Sequence, residues 1–301
     1  MRSHAGVHPR VGAADVVPIV PLDGTALARC IEVARQLGEN VWSELSVPVY
    51  FYGAAAMRPE ARRLATIRGG ALEPDLGGPV LHPSAGAVCI GARSVLVAYN
   101  VLLPGATLEV GDALARALRE SSGGLPGVQG LAFELRTGMV QLSMNLVDVS
   151  QSPPAIVMDA VRRMAAEEGV EVGDEEVVGL CPAAVATPAA DGRLLEGRLA
   201  AAGARAGAVA CRKRGGREME LVSGRLEAEA QELSQLASGA ENLLQGAERA
   251  MAAARVMRAT SVHEPEAERM LRAAARGFRA GVPDTGFPGA RIAALDRWLA
   301  E

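Results

Sequence analysis

The residues best able to move protons stand near the amino terminus. His8 lies in the run His4-Ala5-Gly6-Val7-His8-Pro9-Arg10-Val11-Gly12, beside a proline that fixes the local backbone. An imidazole titrates at about pH 6.5, so it can accept a proton and return it under neutral conditions. Arg10 carries a planar guanidinium able to hold a carboxylate by two parallel hydrogen bonds, and Asp15 is close enough in sequence to orient the ring. The same residues also fit a partly exposed histidine near a chain end with no chemical role. His82, in Leu81-His82-Pro83-Ser84, can line a ligand site or cap a turn. His4 and His8 are four apart, but Gly6 and Pro9 oppose a helix that would present both to a metal, and no carboxylates follow at ligand spacing. No metal site is expected. The four cysteines, Cys30, Cys89, Cys181 and Cys211, form no CxxC pair, which removes zinc knuckles and dithiol redox chemistry. Lys213 is the only lysine, so Schiff-base chemistry would rest on it alone; Arg212-Lys213-Arg214-Gly215-Gly216-Arg217 reads instead as a solvated turn. No GxGxxG after a strand, no GxxxxGK[ST] and no GxSxG occurs, so dinucleotide, P-loop and serine-hydrolase chemistry have no support.

These residues must be held by a folded chain, and the composition provides one. With 301 residues, 49% apolar and 22% charged, there is enough chain for two domains with real cores. A net charge of −4 gives no positive field for phosphate backbones, and 3% aromatic content gives few stacking platforms, so nucleic acid is not an expected partner. No apolar run reaches membrane-spanning length, and Met1-Arg2-Ser3-His4 leads into no secretory apolar segment. Neither membrane nor secretion is expected, and the cytoplasm is the expected location.

Along the chain, Asp15 to Leu22 reads as an edge strand because of Pro18 and Pro21. A helix follows from Thr25, with Leu27, Ile31, Ala34, Leu37, Val41 and Leu45 on one face and Asp23 or Thr25 as its cap. Val47 to Tyr52 is a second strand, Arg58 to Arg68 a short helix, and residues 69–92 a loop rich in glycine and proline. Then come strand Val95 to Leu103, helix Leu108 to Ser121, strands Val128 to Leu135 and Met139 to Val147, helix Pro154 to Glu168 and strand Glu176 to Cys181. This is the split βαβ order of a ferredoxin-like unit. The first 52 residues supply only half such a unit, a half-sheet that another chain or upstream sequence could close. Beyond Pro182 helices dominate, and Leu233, Leu236, Ala240, Leu243, Ala247, Ala250, Ala254 and Met257 step as a heptad seam. Small alanines there favour packing within the chain over a zipper between chains, with a homo-oligomer as the other possibility.

Several blocks resemble the glutamate formimidoyltransferases, the transferase domain of formiminotransferase-cyclodeaminases. His8-Pro9-Arg10-Val11-Gly12-Ala13-Ala14-Asp15 with Pro18 is similar to the HPRxGAxDxxP signature. In family order follow Val47 to Tyr52 with Arg58-Pro59-Glu60, Ile67-Arg68-Gly69-Gly70, Pro74 to Gly86, Gly91-Ala92-Arg93 into Ala98-Tyr99-Asn100, Val128-Gln129-Gly130, Ser143 to Asp148, and Val178 to Pro182. The likeness covers residues 1 to about 185. It implies an α/β (α+β) fold of two ferredoxin-like subdomains facing each other across a substrate tunnel, the first truncated at its amino end, followed here by an α-helical tail. The implied divisions are 1–92, a partial first subdomain with the folate-binding loop; 93–185, the second subdomain; and 186–301, the tail.

The resemblance further implies transfer of the formimidoyl group from N-formimidoyl-L-glutamate to N5 of tetrahydrofolate, a co-substrate, without a metal. By position His8 inherits the acid-base role, and Arg10 the contact to a substrate carboxylate. Gly77, Gly78, Pro79, Val80, Leu81, His82, Pro83, Ser84, Ala85 and Gly86 inherit the folate segment. Met1-Arg2-Ser3-His4-Ala5-Gly6 is itself similar to an internal MRxHxG of the family, so Met1 reads as an interior methionine. No cyclodeaminase signature follows residue 185. A non-catalytic folate-binding or assembly protein derived from a truncated transferase is the alternative expectation.

Overall fold

Val49–Gly53 and Val88–Ala92 are buried almost throughout, the pattern of strands covered on both faces. In the computed structural model, which describes residues 10–22, 24–262 and 264–301, they lie in the first of two units, Met1–Val95 and Leu96–Glu301. The first unit runs β1 (Asp15–Ile19), α1 (Leu27–Leu45), β2 (Val49–Gly53), a 3-10 turn (Pro59–Arg62), α2 (Leu64–Arg68) and β3 (Val88–Ala92). Its sheet is wholly parallel in the order β1-β3-β2, with Val88 level with both Asp15 and Val49.

The expected loop over 69–92 therefore ends earlier, because its last five residues form the central strand. Val88-Cys89-Ile90-Gly91-Ala92 has no polar alternation, since each face meets a different layer. Toward α1, Val88, Ile90 and Ala92 pack with Cys30, Ala34, Val49 and Phe51; toward α2, Ala87 and Cys89 pack with Tyr50, Tyr52 and Ile67. Helix α1 sits close because Gly38 lacks a Cβ, which would stand 2.5 Å from the Phe51 ring. The expected side-chain cap of α1 is not used: its cap position is Ala26, and Asp23 lies outside the described residues.

In the second unit, β4 (Val97–Leu103), α3 (Leu108–Leu118), β5 (Val128–Glu134), β6 (Val140–Leu146), α4 (Pro154–Glu167) and β7 (Glu175–Val178) follow the split βαβ order. The sheet is antiparallel, β5-β6-β4-β7. Thr107 caps α3, its hydroxyl oxygen accepting from the Val110 N–H at 3.3 Å. Strands β4 and β6 alternate buried and less buried residues, as one-sided strands do. The last strand ends at Val178, earlier than its sequence pattern predicts, and Cys181 instead forms a bridge with Leu194.

Helices α5 (Leu195–Arg214), α6 (Arg217–Ser234), α7 (Ala240–Ala259), α8 (Pro265–Ala280) and α9 (Gly289–Ala300) continue the same core, which runs without a break from Val97 to Trp298. The Arg212 to Arg217 stretch is the turn between α5 and α6, where Gly215 and Gly216 adopt positive φ. The expected seam turns inward within the chain: Leu243, Ala247, Ala250, Ala254 and Met257 of α7 are buried. It is not one helix, however, since Leu233 belongs to α6 and Leu236 to the connection that follows. Small residues set the helix spacing; a Cβ on Gly207 would stand 2.6 Å from the Met257 sulfur. The carboxyl-terminal helix is fastened by Arg272, whose guanidinium lies 4.4 Å from the centroid of the Trp298 ring and donates to the Trp298 carbonyl at 2.6 Å.

One buried acid and one buried thiol in this unit have altered affinities for protons. Glu196, at the start of α5, accepts a hydrogen bond from the Ala183 N–H at 2.7 Å, yet burial raises its carboxyl pKa. Burial, reinforced by that carboxyl, pushes the Cys181 thiol up to about 12.

Candidate functional site

The chain leaves Arg10 and at once joins the sheet edge. The Ala87 N–H donates to the Val11 carbonyl at 2.9 Å, and the Ala13 N–H to the Ala85 carbonyl at 2.8 Å, with Gly12 opposite Gly86. Gly12 is required by this approach: a Cβ there would stand 1.7 Å from the Ala87 oxygen. The segment that follows Arg10 is thus stitched to the end of Gly77–Gly86, two parts of the chain some seventy residues apart in sequence. Arg10 itself is exposed, and His8 lies outside the described residues. Both segments meet at the amino-terminal edge of the parallel strands, the end opposite to the one most open α/β sheets use for ligands.

Within Gly77–Gly86 the backbone folds on itself. The His82 N–H donates to the Gly86 carbonyl at 2.9 Å and the Gly86 N–H to the His82 carbonyl at 2.8 Å. The His82 Nδ1 accepts from the Ala85 N–H at 3.1 Å, so this ring nitrogen holds the tight turn over Pro83 and Ser84. Gly77, Gly78 and Gly86 adopt positive φ. Gly77 also lies against the Trp42 ring of α1, 2.7 Å from where its Cβ would be. Val80 is 80% exposed and Leu81 is exposed too, leaving apolar surface at the tip of the segment.

Asp15 serves the backbone and α2. Its Oδ1 accepts from the Val11 N–H at 2.8 Å and its Oδ2 from Arg68 at 2.6 Å. Those bonds hold Asp15 at φ +53, a left-handed conformation that aspartate tolerates better than most residues. On the β2 side, Asp75 accepts from the Phe51 N–H at 2.7 Å and pairs with Arg58 at 3.1 Å, while the Val49 N–H donates to the Leu76 carbonyl at 3.0 Å. This fixes where the Gly77–Gly86 segment leaves the sheet.

Sequence reasoning passed over a second group, on the α2 face of the same sheet. Tyr52 is buried there, and its ring occupies the space left by the missing side chain of Gly91. Burial raises the Tyr52 phenol pKa, against the opposing pull of the neighbouring Arg93 guanidinium. Cys89 lies between Tyr52 and Asp15, and burial with the Asp15 charge pushes its thiol up to about 12, which keeps it un-ionised and unreactive. The signal in the sequence was Gly91 itself, a glycine within a strand, which marks a close approach. Among the described residues, no group of three or more histidine, cysteine or acidic residues gathers as a metal site would. No described helix is long and apolar enough to cross a membrane.

Comparison with known proteins bears on the whole of this arrangement. Residues 1–93 match the family described as "Formiminotransferase domain, N-terminal subdomain", and residues 98–196 match "Formiminotransferase domain". Among curated relatives, the glutamate formimidoyltransferase of Thermoplasma acidophilum is 43% identical over 197 residues, covering 60% of this chain and 65% of the relative. That of Streptococcus pyogenes is 34% identical over 196 residues, covering 61% of this chain and 66% of the relative. The formimidoyltransferase-cyclodeaminase of Rattus norvegicus is 37% identical over 201 residues, covering 60% of this chain but 37% of the relative. The chain thus spans just under two thirds of the first two relatives.

Proposed function

Because this chain belongs to the formiminotransferase family, carrying residues of both its subdomains, we propose that it is a glutamate formimidoyltransferase. In this reading it moves the formimidoyl group from N-formimidoyl-L-glutamate to N5 of tetrahydrofolate, in the cytoplasm, as a step of histidine degradation and one-carbon metabolism. The observation that carries the reading is the pairing of residues 11–13 with 85–87, which joins the residues that follow Arg10 to the Gly77–Gly86 connection.

The chemistry assigns each segment a task. N5 of tetrahydrofolate attacks the amidine carbon of the donor, forming a C–N bond and a tetrahedral centre. N5 then holds a proton it must lose, and the His8 imidazole takes it. As the tetrahedral centre collapses, the bond to the glutamate nitrogen breaks, and the imidazolium returns the proton to that leaving nitrogen. One histidine is first base and then acid, and the proton count closes within the site. Arg10, exposed at the sheet edge, holds a substrate carboxylate. Gly77 to Gly86 binds the folate, with Val80 and Leu81 offering apolar surface to its planar ring.

The test is transfer from N-formimidoyl-L-glutamate to tetrahydrofolate by the 301-residue chain, with His8→Ala beside it. Transfer that falls about 10²- to 10⁴-fold in the variant is expected. Tetrahydrofolate binding without transfer by the parent chain would favour a non-catalytic folate-binding protein instead.

A further inference from the structure

We propose that Tyr52, Arg68 and Arg93 form a binding site for a glutamyl carboxylate on the face of the parallel sheet opposite α1. This subsite rests on the transferase reading for its ligand, not for its geometry. Tyr52 is 3% exposed, and among the described residues its O–H has no acceptor, since the Arg93 guanidinium beside it can only donate. A buried O–H left without an acceptor is rare in a folded chain and asks for an occupant. The phenol cannot readily turn away, because its ring is seated over Gly91, where a Cβ would come within 2.5 Å of it.

The groups around the phenol are donors. Arg93 lies beside it, tethered at the end of β3 by its backbone N–H to the Ile19 carbonyl at 3.2 Å. Arg68 contributes a second positive charge and has a buried Nε without an acceptor. Asp15, the acid that acts on Cys89, is already committed to Arg68 and to the Val11 N–H. The other two acidic groups, the Tyr52 phenol and the Cys89 thiol, are held protonated by burial. The cluster therefore holds two guanidiniums and one carboxylate; Arg93 spends one N–H on the Ser94 carbonyl at 2.9 Å, the Tyr52 O–H and the Arg68 Nε–H are unspent, and a second carboxylate would complete both charge and hydrogen bonding. Both proposed substrates carry such a group, the donor on its glutamate and the acceptor on its glutamyl tail.

Labelling with carbon-13 at tyrosine Cζ gives one resonance for each of Tyr50, Tyr52 and Tyr99, and the one lost in Tyr52→Phe belongs to Tyr52. The full chain is titrated separately with N-formimidoyl-L-glutamate, with tetrahydrofolate, and with tetrahydropteroate, which lacks glutamate. The Tyr52 resonance should move saturably with one or both of the first two, which identifies the source of the carboxylate, and not with the third. Tyr52→Phe and Arg93→Gln should each weaken that binding about tenfold, the loss of one charge-assisted hydrogen bond. A Tyr52 resonance that stays put with every ligand, one that moves equally with tetrahydropteroate, or unchanged affinity in both variants would overturn the site. A moving resonance without formimidoyl transfer would sink the transferase reading alone; transfer with an unmoved resonance would sink the carboxylate site alone.

Discussion

The two sheets bury themselves in opposite ways. In the parallel sheet, β2 and β3 are covered on both faces, by α1 on one side and α2 with the 3-10 turn on the other. In the antiparallel sheet, α3 and α4 belong to the core that takes alternate residues of β4 and β6, and the intervening Asn100, Gln141 and Ser143 hydrogen-bond to one another across the other face. The first sheet therefore places polar function at strand ends and in connections, where Gly12, Asp15, Gly77–Gly86 and Arg93 stand. The second can carry polar side chains on the sheet surface itself. The helices from Leu195 onward then enlarge the second core, while the first unit depends on a small sheet and a few close backbone approaches.

This contrast can be broken experimentally. His8→Ala should give the largest effect, abolishing most formimidoyl transfer while the folded core is kept; retained transfer would take the acid-base role away from His8. Leu271→Ala, at a site with no exposed surface in α8, should cost about 2–5 kcal/mol in the second unit by leaving a cavity. A cost under about 1 kcal/mol would show that the helical core is loosely packed. Gly12→Ala should destabilise the first unit alone, by about 3 kcal/mol, since the added methyl meets backbone oxygen and cannot be relieved by a rotamer. Hydrogen exchange at Ala87 and Ala13 would report the loss, and full protection in the variant would contradict the pairing.

The smallest effect is a pH dependence. Burial raises the Glu196 pKa, so the folded chain binds that proton more tightly than the unfolded chain does. Its contribution to stability is therefore largest on the acid side and declines as pH rises from the ordinary carboxylate range through the raised value. Glu196→Gln should flatten that slope in denaturant titrations at stepped pH, and an unaltered slope would mean that the carboxyl stays charged throughout.

The same contrast explains what could be read in advance. Strands β4 and β6 were legible because one-sided burial imprints a period of two on the sequence. Strand β3 was not, because burial on both faces erases that period and leaves a short apolar run behind a glycine-rich stretch. The inward face of α7 was legible from spacing, but the break after Ser234 was not, since Leu233 and Leu236 keep the step across a change of element. Resemblance marked His8, Arg10 and Gly77–Gly86; it did not reveal that residues 11–13 pair with 85–87, a contact across the whole first unit. Tyr52 escaped notice because its isolation depends on Gly91 in a neighbouring strand, a relation that exists only once the register is set.

The two tryptophans divide between these regions. Trp42 is 37% exposed and touches Gly77, at the start of the proposed folate segment, whereas Trp298 is 1% exposed beneath the Arg272 guanidinium. The protein thus carries one tryptophan per unit, and with excitation at the red edge, where tyrosine does not absorb, the exposed one should emit to the red of the buried one. Ligand occupancy at the sheet edge and melting of the helical core can be followed by separate optical signals in an unlabelled sample.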